Sequence, residues 1–315
     1  MKPTALILLN MGGPENEAEI RMFLRNMFND KNILAIPQPI RAFVAWMITT
    51  RRLPHAKANY DRIGGKSPLM DHTRRLCAKL ETLLPDTMVS CIMRYTPPRA
   101  DDVLGSLKEK GIERLVLLPL YPQYSTTTTR SSLEDVEAAL ARLDYHPECI
   151  RVERFYDHPD YVAAVAETIT QALDETDAAS FHLLFSAHGL PQKIVDKGDP
   201  YEQEVIASTK AVTEYLKSAG HVFKAVHLAY QSKVGPMKWL EPSLDTTLAA
   251  LKGEKVLIAP IAFTIDNSET DFELAIEYRE IADELGIADY RVCRCPNDSD
   301  RFAKTLATLF KERLT

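Results

Sequence analysis

The sequence lacks the features that mark membrane, secreted or nucleic-acid-binding proteins. No apolar run among its 315 residues reaches the length of a membrane span, and the run at residues 5–9 is too short for a signal peptide. Its five scattered cysteines, an odd number, do not suit a disulfide framework. The net charge of −6 argues against a nucleic-acid partner, which would favour a basic stripe. We therefore expect a globular cytoplasmic protein with reduced thiols, whose partners are small molecules or metals.

Two kinds of short motif, a cysteine pair and two glycine pairs, say little about function. Cys293 and Cys295 are close enough in sequence to share an iron–sulfur cluster, but such clusters generally take four thiolates and no nearby cysteine completes the set. The pairs at 12–13 and 64–65 are glycines, yet they match neither the dinucleotide-binding fingerprint nor the Walker pattern. We expect no iron–sulfur cluster, no nucleotide and no other required cofactor.

What the sequence does contain is a regular alternation of short aliphatic runs with amphipathic helical patterns, in a chain that is 45% hydrophobic. The predicted strands lie near 4–10, 88–93, 114–120, 150–154, 181–186, 225–229, 256–262 and 289–292. Such alternation is typical of parallel sheets covered by helices on both faces.

The pattern also repeats within the chain. Residues 5–14 resemble residues 182–191, and residues 115–120 resemble residues 256–261. The repeat predicts an α/β fold of two similar Rossmann-like lobes, each a parallel β-sheet flanked by helices, with a ligand cleft between them.

We place the N-terminal lobe at 1–160 and the C-terminal lobe at 161–298. A last helix, 299–315, could pack on either lobe and is assigned to the first.

Residues 20–54 interrupt the alternation with a segment that is apolar and basic at once. Its helical pattern allows two interpretations. Either its apolar residues belong to the core and its arginines are solvated, or the segment forms an apolar lip of the cleft that rests on an anionic membrane surface. Periodicity alone favours the core interpretation.

The strongest functional signals follow two buried strands. His188 ends an apolar run and precedes Gly189, which places it at the carboxyl end of a strand, where open α/β sheets bind ligands. Glu269, Glu273 and Glu277 follow a second such run at intervals of four residues. On one face of a helix these carboxylates would repel each other, so a positive charge is expected nearby. The set suggests a site that handles a cation and protons together.

Several motifs, in order along nearly the whole chain, make the sequence resemble the ferrochelatase family, bacterial type. These motifs are residues 9–14 (LNMGGP), 60–69 (YDRIGGKSPL), 93–95 (MRY), 120–125 (LYPQYS), 185–191 (FSAHGLP), 198–201 (GDPY), 231–236 (QSKVGP) and the acidic run from Asp266. The resemblance implies a lyase that inserts Fe²⁺ into a porphyrin in haem biosynthesis. Ferrous iron and porphyrin would then be its substrates, and the membrane-lip interpretation of residues 20–54 gains weight as peripheral contact with the inner membrane.

Metallation exchanges two pyrrole protons for a dication, so the site needs a base and a route for the metal. An imidazole suits both tasks, because it titrates near neutrality and is a ligand for Fe²⁺. The resemblance assigns catalysis and metal binding to His188 and Glu269, with Glu273, Glu277 and Asp266 as a relay for protons or metal. It also implies porphyrin contacts, which are Met11, Arg94, Tyr95, Tyr121, Tyr124, Ser125, Ser67 and Pro68.

The sequence departs from its animal relatives at Asn267, where they carry a histidine, so that histidine cannot carry protons here. Asp271 and Ala275 also differ from those relatives. The acidic path is therefore expected to be rearranged.

Three functional alternatives stay open at this point. Protoporphyrin IX is favoured as substrate over coproporphyrin III by the long apolar lip. A chelatase for another tetrapyrrole and metal is a second hypothesis. A non-catalytic haem or metal carrier on the same fold is a third, and iron insertion that depends on His188 would exclude it.

Overall fold

The computed structural model describes residues 2–233 and 237–314. The chain divides into two compact units, which we call unit 1 (Met1–Tyr121, Ser125–Arg154 and Asp298–Thr315) and unit 2 (Pro122–Tyr124 and Phe155–Asn297). The last three residues of the motif at 231–236 lie outside the described residues.

Each unit holds a four-stranded sheet in which all neighbouring strands are parallel. The strands of unit 1 are β1 (Thr4–Asn10), β2 (Met88–Met93), β3 (Arg114–Pro119) and β4 (Glu148–Arg151), in the order β2-β1-β3-β4. Those of unit 2 are β5 (Phe181–His188), β6 (Ala225–Gln231), β7 (Lys255–Pro260) and β8 (Asp289–Val292), in the order β6-β5-β7-β8. The predicted α/β fold with two helix-flanked parallel sheets is confirmed.

Helices connect the strands. The α-helices of unit 1 are α1 (Glu17–Phe28), α2 (Gln38–Asp61), α3 (Leu69–Leu83), α4 (Ala100–Glu109), α5 (Ser131–Arg142) and, at the end of the chain, α11 (Asp300–Glu312). Those of unit 2 are α6 (Pro159–Leu173), α7 (Gln192–Val195), α8 (Tyr201–Ser218), α9 (Leu244–Ala250) and α10 (Tyr278–Leu285). A 3₁₀ turn spans Ala178–Ser180, and two π-helices, which we call π1 and π2, span Thr126–Arg130 and Glu269–Glu277.

The central strands explain why the sequence shows continuous apolar runs instead of alternation. Ala5 to Leu9 in β1 and Val256 to Ala259 in β7 are at most 1% exposed, because helices cover both faces of a parallel sheet. The edge strand β4 begins two residues before the predicted 150–154. Its register is fixed by pairing Arg114 with Glu148, and its exposed side chains give a weak apolar pattern.

The segment at 20–54 divides between core and surface. Ile20, Phe23 and Leu24 of α1 are buried in a cluster with Leu53 and Tyr60 of α2. The first half of α2 instead exposes large apolar side chains, which are Ile40, Phe43, Trp46 and Met47. The core interpretation therefore describes α1, and it fails for the first half of α2. No helix in residues 2–233 and 237–314 is both long and apolar enough to cross a membrane.

Candidate active site

His188 is the last residue of β5, and its backbone is tightly held. The phenol of Tyr201 donates to the carbonyl oxygen of His188 at 2.9 Å. The next residue, Gly189, donates its N–H to the carbonyl oxygen of Gln231 at 2.9 Å, and a Cβ at that position would lie 2.8 Å from the same oxygen. Only glycine fits this approach, so the chain turns at a fixed point directly after the histidine.

The His188 side chain is paired with Glu269. Its Nδ1 lies 2.8 Å from Oε2 of Glu269, and the two side chains are 37% and 22% exposed. Burial lowers the pKa of His188, but the charge and hydrogen bond of Glu269 and the charge of Glu273 outweigh it and raise that pKa to about 8. At neutral pH the imidazolium therefore donates from Nδ1. Its Nε2 makes no hydrogen bond within the part of the chain that the structure describes.

Glu269 begins π2, and this is a difference from the sequence prediction of acids stacked along an ordinary helical face. A π-helix closes its hydrogen bonds over five residues instead of four, and such helices are frequent at functional sites. Asn267 holds the start of π2 in place. Its Oδ1 accepts the N–H of Glu269 at 2.7 Å, and its own N–H is bonded to Oγ1 of Thr270 at 2.9 Å. Asn267 thus fixes the backbone of Glu269.

Glu273 lies one step along π2 and is held from β6. Its Oε2 accepts hydrogen bonds from Oγ of Ser232 at 2.6 Å and from Nε2 of Gln231 at 3.2 Å. Burial and the charge of Glu269 raise the pKa of Glu273 to about 7, although these two hydrogen bonds and His188 oppose the rise. Glu273 can therefore hold or release a proton near neutral pH. Glu277, at the end of π2, is exposed.

Asp266 has different hydrogen-bond partners from Glu269 and Glu273. It is 1% exposed and accepts the N–H of Cys295 at 3.0 Å and Nδ2 of Asn297 at 2.7 Å. It also accepts from Arg294, which pairs with Asp271 as well. These contacts fasten the segment after β8 to the segment before π2, so Asp266 has a structural task in addition to any role in a relay.

The cysteines are all free thiols, and Cys293 and Cys295 are buried. Burial raises the pKa of both thiols well above its usual range, so neither is a thiolate at neutral pH. Among residues 2–233 and 237–314, no three histidine, cysteine, aspartate or glutamate side chains lie together in a way that could hold a metal ion. A metal ion at His188 and Glu269 would need further ligands, such as those of a substrate.

In unit 1, the predicted porphyrin contacts after β1 and β2 lie together. Tyr95 donates its N–H to the carbonyl oxygen of Met11 at 2.9 Å, and Met11 packs against the α1–α2 cluster. The Arg94 guanidinium is bonded to Oγ of Ser131 at 2.8 Å and lies 3.1 Å from Asp30 and 3.3 Å from Asp135.

Asp30 is the residue of this cluster that the sequence interpretation missed. It is buried and also accepts the phenol proton of Tyr95 at 2.9 Å. The sequence offered one indication of this role, which is a single acid shortly after the end of α1 and near a segment rich in arginine. A buried carboxylate requires a partner, and Arg94 supplies the charge.

Three other predicted porphyrin contacts form hydrogen bonds within their own units. Ser125 accepts the N–H of Thr127 and so caps π1, and Tyr121 is buried with its hydroxyl 3.4 Å from Ser132. The backbone N–H of Tyr124 donates to Glu204 at 2.7 Å.

Ser67 and Pro68 lie together at the start of α3. Ser67 is buried and donates its N–H to Pro14, and Pro68 precedes the first residue of α3. Both therefore adjoin the loop that follows β1.

Solved structures with a similar fold include SirB and CbiX. SirB from Bacillus subtilis, in a structure with Fe³⁺, matches with a TM-score of 0.61 at 10% identity, covering 99% of this chain and 96% of SirB. CbiX, the terminal enzyme of sirohaem biosynthesis in denitrifying bacteria, matches with a TM-score of 0.55 at 13% identity over both full chains. At these identities the likeness shows the fold alone, which is that of the chelatase class.

Sequence relatives narrow the class to one family. The model of the ferrochelatase family matches residues 3–314. Ferrochelatases of a Nitratiruptor species and of Wolinella succinogenes are 51% and 52% identical to this chain, over 98% of it and 99% and 98% of their own lengths. A ferrochelatase of Helicobacter pylori is 44% identical over 98% of this chain and 92% of its own. The chain belongs to the ferrochelatase family and is an enzyme of the lyase class, acting in haem biosynthesis.

Proposed function

We propose that the protein inserts Fe²⁺ into protoporphyrin IX and releases two protons, and that the pair of His188 and Glu269 receives them. The observation that carries this proposal is the 2.8 Å contact between Nδ1 of His188 and Glu269 at the carboxyl end of β5. A pyrrole proton can pass to the histidine when it is neutral or to Glu269. We assign its receipt to Nε2 of His188, because Nδ1 is bonded to Glu269. Glu273, with a pKa of about 7, takes the proton onward.

The iron is a substrate and would be met by the same residues. An imidazole and a carboxylate supply two ligands of the type that Fe²⁺ accepts, and the pyrrole nitrogens replace them as the metal enters the macrocycle. Because the protons must leave for the metal to bind, His188 and Glu269 serve both steps.

In unit 1, we propose that Met11 packs on the porphyrin with its thioether, which suits an apolar macrocycle and binds hard cations weakly. Arg94 is already engaged with two carboxylates and a hydroxyl. Its contribution to porphyrin binding is therefore assigned to holding Tyr95 and the loop after β2, and a direct contact with a propionate remains a prediction.

The test of the activity is anaerobic incubation of the purified protein with Fe²⁺ and, in parallel, with protoporphyrin IX or coproporphyrin III, followed by the loss of porphyrin fluorescence. We expect faster loss with protoporphyrin IX and the release of two protons per haem, measured with a pH indicator in weak buffer. A faster reaction with coproporphyrin III would reverse the substrate assignment. Haem binding without any metal insertion would favour a carrier.

We further propose that the first half of α2 contacts an anionic membrane surface. Phe43 and Trp46 are 61% and 56% exposed, lie on one side of α2 with Ile40 and Met47, and are followed along the same helix by the exposed Arg51. Exposed aromatic and aliphatic side chains beside a cation are typical of helices that lie in a membrane interface. Flotation with anionic liposomes tests this contact, and F43S/W46S is expected to abolish it. Equal flotation of the variant contradicts the proposal.

A further inference from the structure

A chain of buried polar side chains leads from β5 across β6 to the acidic π-helix. Ser186, two residues before His188, is 0% exposed, and Gln231, the strand partner of His188, is 1% exposed. Oγ of Ser186 donates to Oε1 of Gln231 at 2.6 Å, and Nε2 of Gln231 donates to Glu273 at 3.2 Å. Buried polar groups require partners, and each group of this chain has one.

Hydrogen bonds at both ends fix the orientation of the Gln231 amide. Its Oε1 accepts from the hydroxyl of Ser186, and its NH₂ group is directed to Glu273. In the opposite orientation the amide oxygen would face a carboxylate oxygen, which is repulsive unless the acid is protonated. The carboxylate therefore sets Gln231 as a donor, and Ser186 holds the other end of the amide in place.

Ser232 adds the second hydrogen bond at a cost in backbone strain. Its φ of +65° lies in the left-handed region, which is unfavourable for a residue with a side chain. In this conformation its Oγ lies 2.6 Å from Oε2 of Glu273, the same oxygen that Gln231 contacts. Strain of this kind persists where the surrounding contacts require it, and here the contact is with an acid of the site.

We propose that Gln231 and Ser232 are positioning residues for Glu273, and that Ser186 holds Gln231 in place for this task. Two donors on one oxygen fix the rotamer of Glu273 and keep its carboxyl group directed toward β6, near the pair of His188 and Glu269. The inference rests on the proposed function, because it assumes that Glu273 takes part in proton transfer. None of the three side chains needs to touch the substrate.

Measurements of kcat and KM distinguish a positioning role of these residues from a role in the stability of the fold. We expect kcat to fall roughly tenfold in Ser232→Ala and in Gln231→Leu, with KM nearly unchanged, because a hydrogen bond to an ionised group is lost in each. Ser232→Gly, which tolerates a φ of +65° but also lacks the hydroxyl, should lose as much kcat as Ser232→Ala, because the lost group is the hydrogen bond and not the backbone conformation. Ser208→Ala is the matched control, since Ser208 is also a fully buried serine of unit 2 but bonds the backbone of Tyr156. It should keep the wild-type kcat.

A double-mutant cycle tests whether the effect passes through Glu273. In a Glu273→Ala background, Ser232→Ala and Gln231→Leu should cause no further loss of kcat. Losses that multiply in the double variants would overturn the proposal.

A spectroscopic readout makes the test independent of turnover. The infrared difference between the wild type and Glu273→Ala isolates the carboxyl band of Glu273, whose frequency depends on its hydrogen bonds. The band should shift in Ser232→Ala and Gln231→Leu, and by less in Ser186→Ala. An unshifted band refutes the positioning role. If the wild type inserts no iron yet the band shifts, the proposed function fails and the positioning stands.

Discussion

Units 1 and 2 contain sheets with the same strand order, but they carry different side chains at the ends of equivalent strands. Their strand orders, β2-β1-β3-β4 and β6-β5-β7-β8, are equivalent, and in each unit a π-helix follows the third strand. π1 carries threonines and one arginine, whereas π2 carries Glu269, Glu273 and Glu277. The first strand of unit 1 is followed by Met11 and that of unit 2 ends in His188. The scaffold therefore does not determine the chemistry, which resides in the side chains at equivalent strand ends.

The largest expected effect compares these two equivalent residues, Met11 and His188. Removal of a general acid–base group typically costs about 10²- to 10⁴-fold in rate, so His188→Ala should lower kcat by that range. Met11→Ala should mainly raise KM, because a packing contact acts on bound substrate and transition state alike. Steady-state iron insertion by both variants measures the split. His146→Ala, at an exposed histidine of unit 1, is the control. A kcat loss of equal size in both variants would refute the division of roles.

The glycines that follow these two residues, Gly12 and Gly189, are required for different reasons, a left-handed backbone at Gly12 and a close approach of another backbone at Gly189. Gly12 has a φ of +85°, and a Cβ there would lie 2.3 Å from Oγ1 of Thr96. Gly189 lacks a positive φ but would meet a backbone oxygen of Gln231 at 2.8 Å. Each alanine substitution should destabilise its unit by about 1–3 kcal/mol, from strain and overpacking. Chemical denaturation measures both.

A second substitution tells the two reasons apart. Thr96→Ala removes the hydroxyl oxygen that the new Cβ would meet, so it should relieve Gly12→Ala only in part, because the left-handed backbone remains unfavourable. Full relief would show that φ contributes nothing at Gly12.

The side-chain hydrogen bonds at the starts of the two π-helices predict a smaller effect. Asn267 accepts the N–H of Glu269, and Ser125 accepts the N–H of Thr127. Loss of either hydrogen bond by alanine substitution should cost about 1 kcal/mol in the free energy of unfolding. Only Asn267→Ala should also lower kcat, since it alone fixes an acid of the site, and Asn267→Asp should restore the rate. Equal kcat losses in both alanine variants would contradict this.

The two units also show which features of the fold and of the site could be predicted from the sequence. The continuous apolar runs of β1, β5 and β7 predicted the parallel sheets, and the turn after β5 placed His188 at a strand end. The shared role of His188 and Glu269 was expected only from family resemblance, and their direct contact was not predicted, because residues 81 positions apart meet only through the fold. The π-helical form of π2 was not predicted, since a spacing of four residues suits an α-helix equally well. The partners Asp30 and Ser232 were missed because single polar residues carry no periodicity.

The smallest predicted effect concerns the pH dependence of stability, in which the two units differ in sign. In unit 1, hydrogen bonds outweigh burial and lower the pKa values of Glu134 and Asp298 to about 2. Glu134 accepts from Asn32, Arg130 and Lys31, and Asp298 is bonded to Arg75 and His72. Their stabilisation is present above the ordinary pKa values and is lost as the pH falls toward 2. In unit 2, His188 and Glu273 have raised pKa values of about 8 and about 7. The two units should therefore lose stability at opposite ends of the pH range.

For His188, the stabilisation of the imidazolium is complete below its ordinary pKa of 6.5 and is lost as the pH rises through 8. For Glu273, ionisation of a buried carboxyl group weakens the folded state as the pH rises from 4.5 through 7. Both effects lower the melting temperature of wild type between pH 4.5 and 8. Glu273→Gln should flatten the lower part of this slope and His188→Ala the upper part. A wild-type melting temperature that rises over this range would mean that neither group keeps its proton more tightly in the folded state, and the pairing of His188 with Glu269 would then contribute nothing to proton affinity.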